Sequence, residues 1–181
     1  MDRYSQINSF ADDDGTVNVI VDTPKGSSNK YSFNEKLQVF ELSGVLTLGH
    51  SFPYNFGFIP NTLGGDGDPL DVLVITDEAA FCGCLIESRL IGVIEADQTE
   101  RNGERQKNDR LIGVAAKSPT HESVRSLADL SAIAIEQVEH FFTSYNEAKG
   151  KRFDVTGKAS SERALEIVRR GIEDHESIKK S

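Results

Sequence analysis

Val17, Val19 and Val21 alternate with Asn18, Ile20 and Asp22, and this period of two predicts a strand with one strongly buried face. Proline, glycine, serine and asparagine gather at Pro24–Asn29, which reads as a turn. Tyr31 and Phe33 resume the alternation, and Val39–Leu42 is placed to pair with them. Asp71–Ile75 is an apolar run of strand length; Leu85–Glu95 and Arg110–Ala116 are further strands, with the hairpin signal Asn102-Gly103 between them. Short strands at this spacing predict a small closed barrel. The last third changes period. Leu127, Leu130, Ile133, Ala134, Val138, Phe141 and Phe142 recur at helical spacing, with Ser126 placed to cap and Gly150 to stop the helix. A second helix is expected from Ser160-Ser161, burying Ala164, Leu165, Val168 and Ile172, and its Lys179-Lys180 end suits the negative pole of the helix dipole. No repeat or linker interrupts the chain, so one domain, residues 1–181, is expected.

A chain of 181 residues is long enough for a sizeable core. No apolar run approaches the roughly 20 residues that cross a bilayer, and Met1–Gln6 lacks the basic-then-apolar pattern of a secretion signal. With Asp12-Asp13-Asp14 close behind, the expectation is a cytoplasmic protein without a membrane partner. The 29 acidic and 20 basic side chains leave a formal charge of −9, which argues against nucleic acid as a partner. Cys82 and Cys84 lack the second pair that a zinc site needs and read as free thiols. His50, His121, His140 and His175 are scattered, accompany no nucleophile motif, and read as structural or surface residues.

The densest chemical signal is Gly64-Gly65-Asp66-Gly67-Asp68-Pro69-Leu70-Asp71. Three carboxylates crowd one short loop before an apolar strand, an arrangement that like-charge repulsion disfavours unless cations intervene. The glycines permit tight turns and Pro69 stiffens the loop. Hard cations such as Mg2+ take oxygen ligands of this kind. An ordinary solvated acidic turn is the bland alternative. A calcium loop beginning at Asp66 would need glycine sixth and usually glutamate twelfth, where Asp71 and Asp77 stand, so it is rejected. An aspartyl-phosphate motif would follow its strand rather than precede it.

The string Asp66–Leu73 resembles the signature of the family I soluble inorganic pyrophosphatases, D-G-D-P-hydrophobic-D followed by two hydrophobic residues. Phe52–Ile59, Ile91–Ile94, Asn108–Leu111 and His140–Tyr145 are similar to that family too, in order, over roughly residues 17 to 175. The resemblance implies an α+β, mainly β fold, a five-stranded closed barrel of the oligonucleotide-binding type flanked by two C-terminal helices. It implies Mg2+-dependent hydrolysis of inorganic diphosphate and a homo-oligomer, hexamer or dimer. Cations at the site would reconcile a chain of charge −9 with a polyanionic substrate.

Carried over by position, Asp66 and Asp71 are implied Mg2+ ligands, joined by Asp97 and Asp109. A strict match from Leu111 places Asn108, rather than Asp109, at the last of these. Asp68 is the implied base for the attacking water. Lys30, Arg110 and Tyr145 are implied phosphate-binding residues, and Asp22 stands where a metal-associated glutamate is usual. The chain departs from the family pattern at Ser32 (usually acidic), Gly44 (usually arginine), Phe52 and Phe56 (usually tyrosine) and Asn146 (usually lysine). Two other readings stay open: a weakened member that binds Mg2+–diphosphate or a protein partner, and a hydrolase of a larger phosphoanhydride.

Overall fold

The computed structural model describes residues 4–180; Met1–Arg3, part of the segment read for a secretion signal, lie outside it. Nine strands and two helices follow the chain: β1 Thr16–Thr23, β2 Asn29–Asn34, β3 Val39–Val45, β4 Asn55–Phe58, β5 Asp71–Ile75, β6 Leu85–Thr99, β7 Arg105–Lys107, β8 Arg110–Ala115, α1 Ala132–Ala148, β9 Arg152–Ala159 and α2 Ser161–Lys179. Strands β1, β4, β5, β8 and β6 pair in that order, and β6 pairs back onto β1, so five strands form a closed ring. All contacts in the ring are antiparallel except β5–β8. The mainly β class, the five-strand closure and the two C-terminal helices agree with the expectation.

Strand β6 is long enough to serve twice. Its first half pairs with β1 and β8; its second half runs on to carry β9 on one edge and the short β7 on the other. The β2–β3 hairpin stands beside the ring as a separate two-stranded sheet.

Strand β5 shows why its sequence is apolar without alternation. Leu73 and Ile75 enter a cluster with Phe52, Phe56, Phe141 and Phe142, so this face packs against α1. Val72 and Val74 enter a second cluster with Ala164 and Val168 of α2. Strand β1 is buried on both sides, with Asn18 and Asp22 buried along with the fully enclosed valines between them, where one buried face is expected from the sequence. Asn18 tolerates this because its side-chain amide donates to Asn8 O at 2.9 Å.

Helix α1 begins later than the hydrophobic pattern suggests. Ser126 opens a one-turn 3-10 segment, Leu127–Asp129, in which the Asp129 carboxylate accepts from the backbone N–H of Arg125 at 2.9 Å and of Ser126 at 2.8 Å. Leu130 is then extended, and Ser131 caps the helix by accepting from Ala134 N at 3.2 Å. Ile133, expected on the buried stripe, faces solvent. Strands β4 and β9 are additions to the expected elements: β4 lies within the aromatic Phe52–Pro60 segment, and along β9, where Phe153 and Val155 alternate with Arg152 and Asp154, only Phe153 is buried.

Candidate active site

The aspartate loop is built by its own backbone. Gly64 N donates to Asp68 O at 2.7 Å and Gly67 N to Gly64 O at 3.1 Å. Gly67 has φ +89°, a conformation that residues with a Cβ rarely adopt. Asp66 Oδ1 accepts from Asp68 N at 3.2 Å, and Thr62 Oγ1 accepts from Leu70 N at 3.0 Å. The chain thereby leaves the loop at Asp71 already in register with β4 and β8.

A cavity of about 820 Å3 opens beside this loop, and Asp22, Lys30, Asp68, Asp71, Arg110 and Tyr145 all line it. Five secondary-structure elements supply them besides the loop: β1 the first, β2 the second, β5 Asp71 at its first position, β8 the arginine and α1 the tyrosine. Two ion pairs organise the floor: Lys30 Nζ to Asp22 Oδ2 at 2.8 Å and Arg110 Nη1 to Asp71 Oδ2 at 2.7 Å. Aromatic rings back both cations. Lys30 Nζ lies 4.3 Å from the centre of Phe56, and the Arg110 guanidinium lies 4.9 Å from Phe142 and 5.6 Å from Phe153. Phe52 and Phe56, which stand in place of tyrosines, therefore contribute ring faces to Lys30 and to the α1 core.

The acids of this floor are under strain from burial and from one another. Asp22 is raised from an ordinary 3.8 to about 6. Burial is the main cause, Lys30 opposes it, and the Asp71 charge adds to it. Burial also raises Asp71 against the pull of Arg110 and Lys30, and raises Asp66, where Asp71 and Asp68 contribute. Asp22 Oδ1 is buried with no hydrogen-bond partner among the described residues. Asp68, by contrast, is exposed at the cavity edge.

The structure does not bring Asp97 and Asp109 to this cavity. Asp97 bonds Arg105 at 2.5 Å and Lys107 at 3.4 Å on the β6–β7 hairpin, and the hydrogen bond from Arg105 holds its carboxyl below the usual range. Asp109 Oδ1 accepts from Ala96 N at 3.0 Å, and its charged neighbours are Lys107, Glu95 and Arg163. Gln98 points away from Asp97 because side chains alternate along β6, and Asn108, in the link between β7 and β8, meets it there. Gln98 and Asn108 are buried and bonded to each other at 3.0 Å, and Asn108 Oδ1 accepts from Arg110. Spacing alone does not reveal this pair; only the strict match from Leu111 pointed to Asn108.

Other departures resolve individually. Gly44 lies opposite Lys30 in the β2–β3 hairpin, with open space where a side chain would begin. Asn146 is buried and donates to Phe142 O at 2.8 Å. Lys149, the residue that caps the C-terminus of α1 one turn after Tyr145, donates to the Tyr145 hydroxyl and lies over its ring. His175, read as structural or surface, lines the outer end of the cavity with Lys179. Cys82 and Cys84 are free; burial, with Asp22 nearby, pushes the Cys82 thiol up to about 11.

Among the described residues, no three carboxylates are gathered closely enough to enclose an ion as they stand. The donor chemistry nevertheless fits Mg2+ on the Asp22–Asp66–Asp71 side. The donors are all oxygens, burial and mutual repulsion disfavour their charge, and one buried oxygen has no partner. On the Gln98–Asn108 side the donors are neutral amides already committed to hydrogen bonds.

Residues 19–176 match the inorganic pyrophosphatase family. The inorganic pyrophosphatase of Synechocystis sp. is 36% identical over 161 residues, 89% of this chain and 92% of the relative. The crystal structure of inorganic pyrophosphatase from Thermus thermophilus superposes with a TM-score of 0.85 at 30% identity, covering 94% of this chain and 97% of the other. That of an inorganic pyrophosphatase from Neisseria gonorrhoeae gives 0.86 at 31%, covering 96% and 99%. With the aspartate loop, its paired cations and the five-strand ring in place, these likenesses over nearly the whole length show that the chain belongs to the inorganic pyrophosphatase family.

Proposed function

We propose that the chain hydrolyses inorganic diphosphate to two orthophosphates, with water as nucleophile, no covalent intermediate, and Mg2+ as cofactor. The observation that carries this reading is the single cavity in which two cation–carboxylate pairs, Lys30–Asp22 and Arg110–Asp71, face the exposed Asp68. Asp68 takes the proton of the attacking water; among the described residues it has no ion pair that would occupy it. Lys30 and Arg110 bind phosphoryl oxygens. Each keeps donors beyond those spent on its carboxylate, and Arg110 Nε is buried without a partner. Lys149 donates to the Tyr145 oxygen and so leaves the phenolic O–H directed outward as a donor to phosphate. Asp22, Asp66 and Asp71 would hold Mg2+, which when bound neutralises phosphate charge and lowers the pKa of water from 15.7 towards about 7.

Coupled measurement of orthophosphate release from diphosphate, with and without millimolar Mg2+ from neutral to alkaline pH, tests the reading. Mg2+-dependent release supports it, and no release at any pH removes it. Asp68→Asn is expected to lower turnover by at least a hundred-fold, the scale of a general base, with unchanged thermal stability.

A second reading, hydrolysis of a larger phosphoanhydride, is favoured by the size of the cavity. Nine non-hydrogen atoms of diphosphate occupy at most about 270 Å3 at a water-like 30 Å3 each, against about 820 Å3 available. Faster release from triphosphate or a nucleotide than from diphosphate would decide for it. We place the protein in the cytoplasm as a homo-oligomer, dimer or hexamer, to be tested by sedimentation. No helix among the described residues is long and apolar enough to cross a membrane.

A further inference from the structure

Arg110 is the most enclosed cation of the site, and it is held from behind by a line of uncharged groups. Its Nη1 donates to Asn108 Oδ1. Asn108 Nδ2 donates to Gln98 Oε1 at 3.0 Å, and Gln98 Nε2 donates to Glu100 Oε1 at 2.5 Å. Glu100 is itself fixed by Lys151 at 2.8 Å. Asn108, Gln98 and Arg110 are all buried, at 8%, 5% and 5% exposure. Only Arg110 of these lines the cavity.

The chain has one possible direction. An amide has a donor end and an acceptor end, whereas an ionised carboxylate only accepts and a guanidinium only donates. Glu100 therefore draws the NH2 of Gln98 towards itself, which turns the Gln98 oxygen to Asn108. That oxygen draws the NH2 of Asn108, which turns the Asn108 oxygen to Arg110. Both amides satisfy their buried groups in this sense and in no other. The result at Arg110 is a strong but neutral acceptor, so among the described residues Asp71 is the one carboxylate paired with the guanidinium. A carboxylate at Asn108 would instead cancel charge that a phosphate needs.

We infer that Gln98 and Asn108 are positioning residues that hold Arg110 towards the substrate's phosphate through a hydrogen-bond chain oriented from its far end by Glu100. This rests on the proposed diphosphatase reading, since it concerns how Arg110 meets a phosphate. Glu100 touches neither the cavity nor Arg110, so its influence there travels through the two amides.

The test combines steady-state kinetics with calorimetric titration of Mg2+–diphosphate into an Asp68→Asn parent, which reads binding without turnover. Gln98→Leu and Glu100→Gln are each expected to weaken diphosphate binding and raise KM about five-fold, the scale of one hydrogen bond, with kcat within two-fold. Combined with Asn108→Leu, neither should add a further loss, because all three act through one chain. Asn108→Asp is expected to weaken diphosphate binding without tightening Mg2+. Tighter Mg2+ binding in Asn108→Asp together with unaltered diphosphate affinity would overturn the inference and make the position a metal site. Unchanged KM in both Glu100→Gln and Gln98→Leu would overturn it as well. A parent that binds no diphosphate removes the proposed function and this inference together; a parent that binds, with variants indistinguishable from it, removes only the chain.

Discussion

Asp22→Asn should make the metal-free protein more stable while impairing its reaction. Asp22 is 6% exposed and its carboxyl is raised from 3.8 to about 6, mainly by burial. Between these two values the native state holds a proton that the unfolded state has released, so this residue makes stability fall as pH rises. The full cost, at about 1.36 kcal/mol per pH unit, is about 3 kcal/mol above pH 7. The asparagine mimics the protonated acid, and Lys30 keeps the Phe56 ring at 4.3 Å. Urea unfolding in EDTA at fixed protein concentration measures the difference between variant and wild type. It should grow from about 1 kcal/mol at pH 4.5 to about 3 kcal/mol at pH 7.5. Taking this difference cancels the titration of groups that do not interact with Asp22. With Mg2+ present the advantage should shrink or reverse, because the carboxylate then has a cation to hold. A difference that stays flat with pH, or a variant less stable than wild type at pH 7.5 in EDTA, would refute the view that Asp22 is a charge kept for function.

Three further outcomes follow from other parts of the molecule. Gly44→Arg places a guanidinium opposite Lys30 with no steric obstacle, and KM for diphosphate should fall about ten-fold, the scale of a charge-assisted hydrogen bond. An unchanged KM would mean that the hairpin does not reach the substrate. Asp71→Asn should shift the Mg2+ activation midpoint to higher concentration, whereas Asp97→Asn should not, because Asp97 is bonded to Arg105 and Lys107; equal shifts would place Asp97 at the metal. Gly57→Ala drives a methyl against the β1 backbone, within 2.9 Å of the Ile20 carbonyl carbon, and should cost more than about 3 kcal/mol of stability in chemical unfolding.

Much of the molecule is legible in short stretches of sequence, for a physical reason. The aspartate loop is specified locally: glycines at the turns, a stiff Pro69, and hydrogen bonds between residues two to four positions apart. Strand β5 and helix α2 announce themselves because their apolar periodicity reflects the faces they bury. Helix α1 starts beyond Ser126 because the turn that Ser126 and Asp129 cap ends at Asp129, and Leu130 is extended before Ser131 caps the helix itself. Strands β4 and β9 are short on apolar residues to either side of Phe56 and Phe153, and their pairing to β5 and β6 fixes them in the sheet.

By itself, then, the sequence determined the family, the acidic loop and the change from strand to helix in the last third, though not the strand β9 that lies between the two helices. Only the tertiary structure decided which acids meet which cations. Asp97 and Gln98 are neighbours in sequence but face opposite sides of β6, so a one-residue difference separates a surface ion pair from the support of Arg110. Lys30 and Asp22 face each other only because the β2–β3 hairpin packs beside the ring against β1. Charge pairing depends on distances between elements, and those distances are set by ring closure and core packing rather than by any local run of residues.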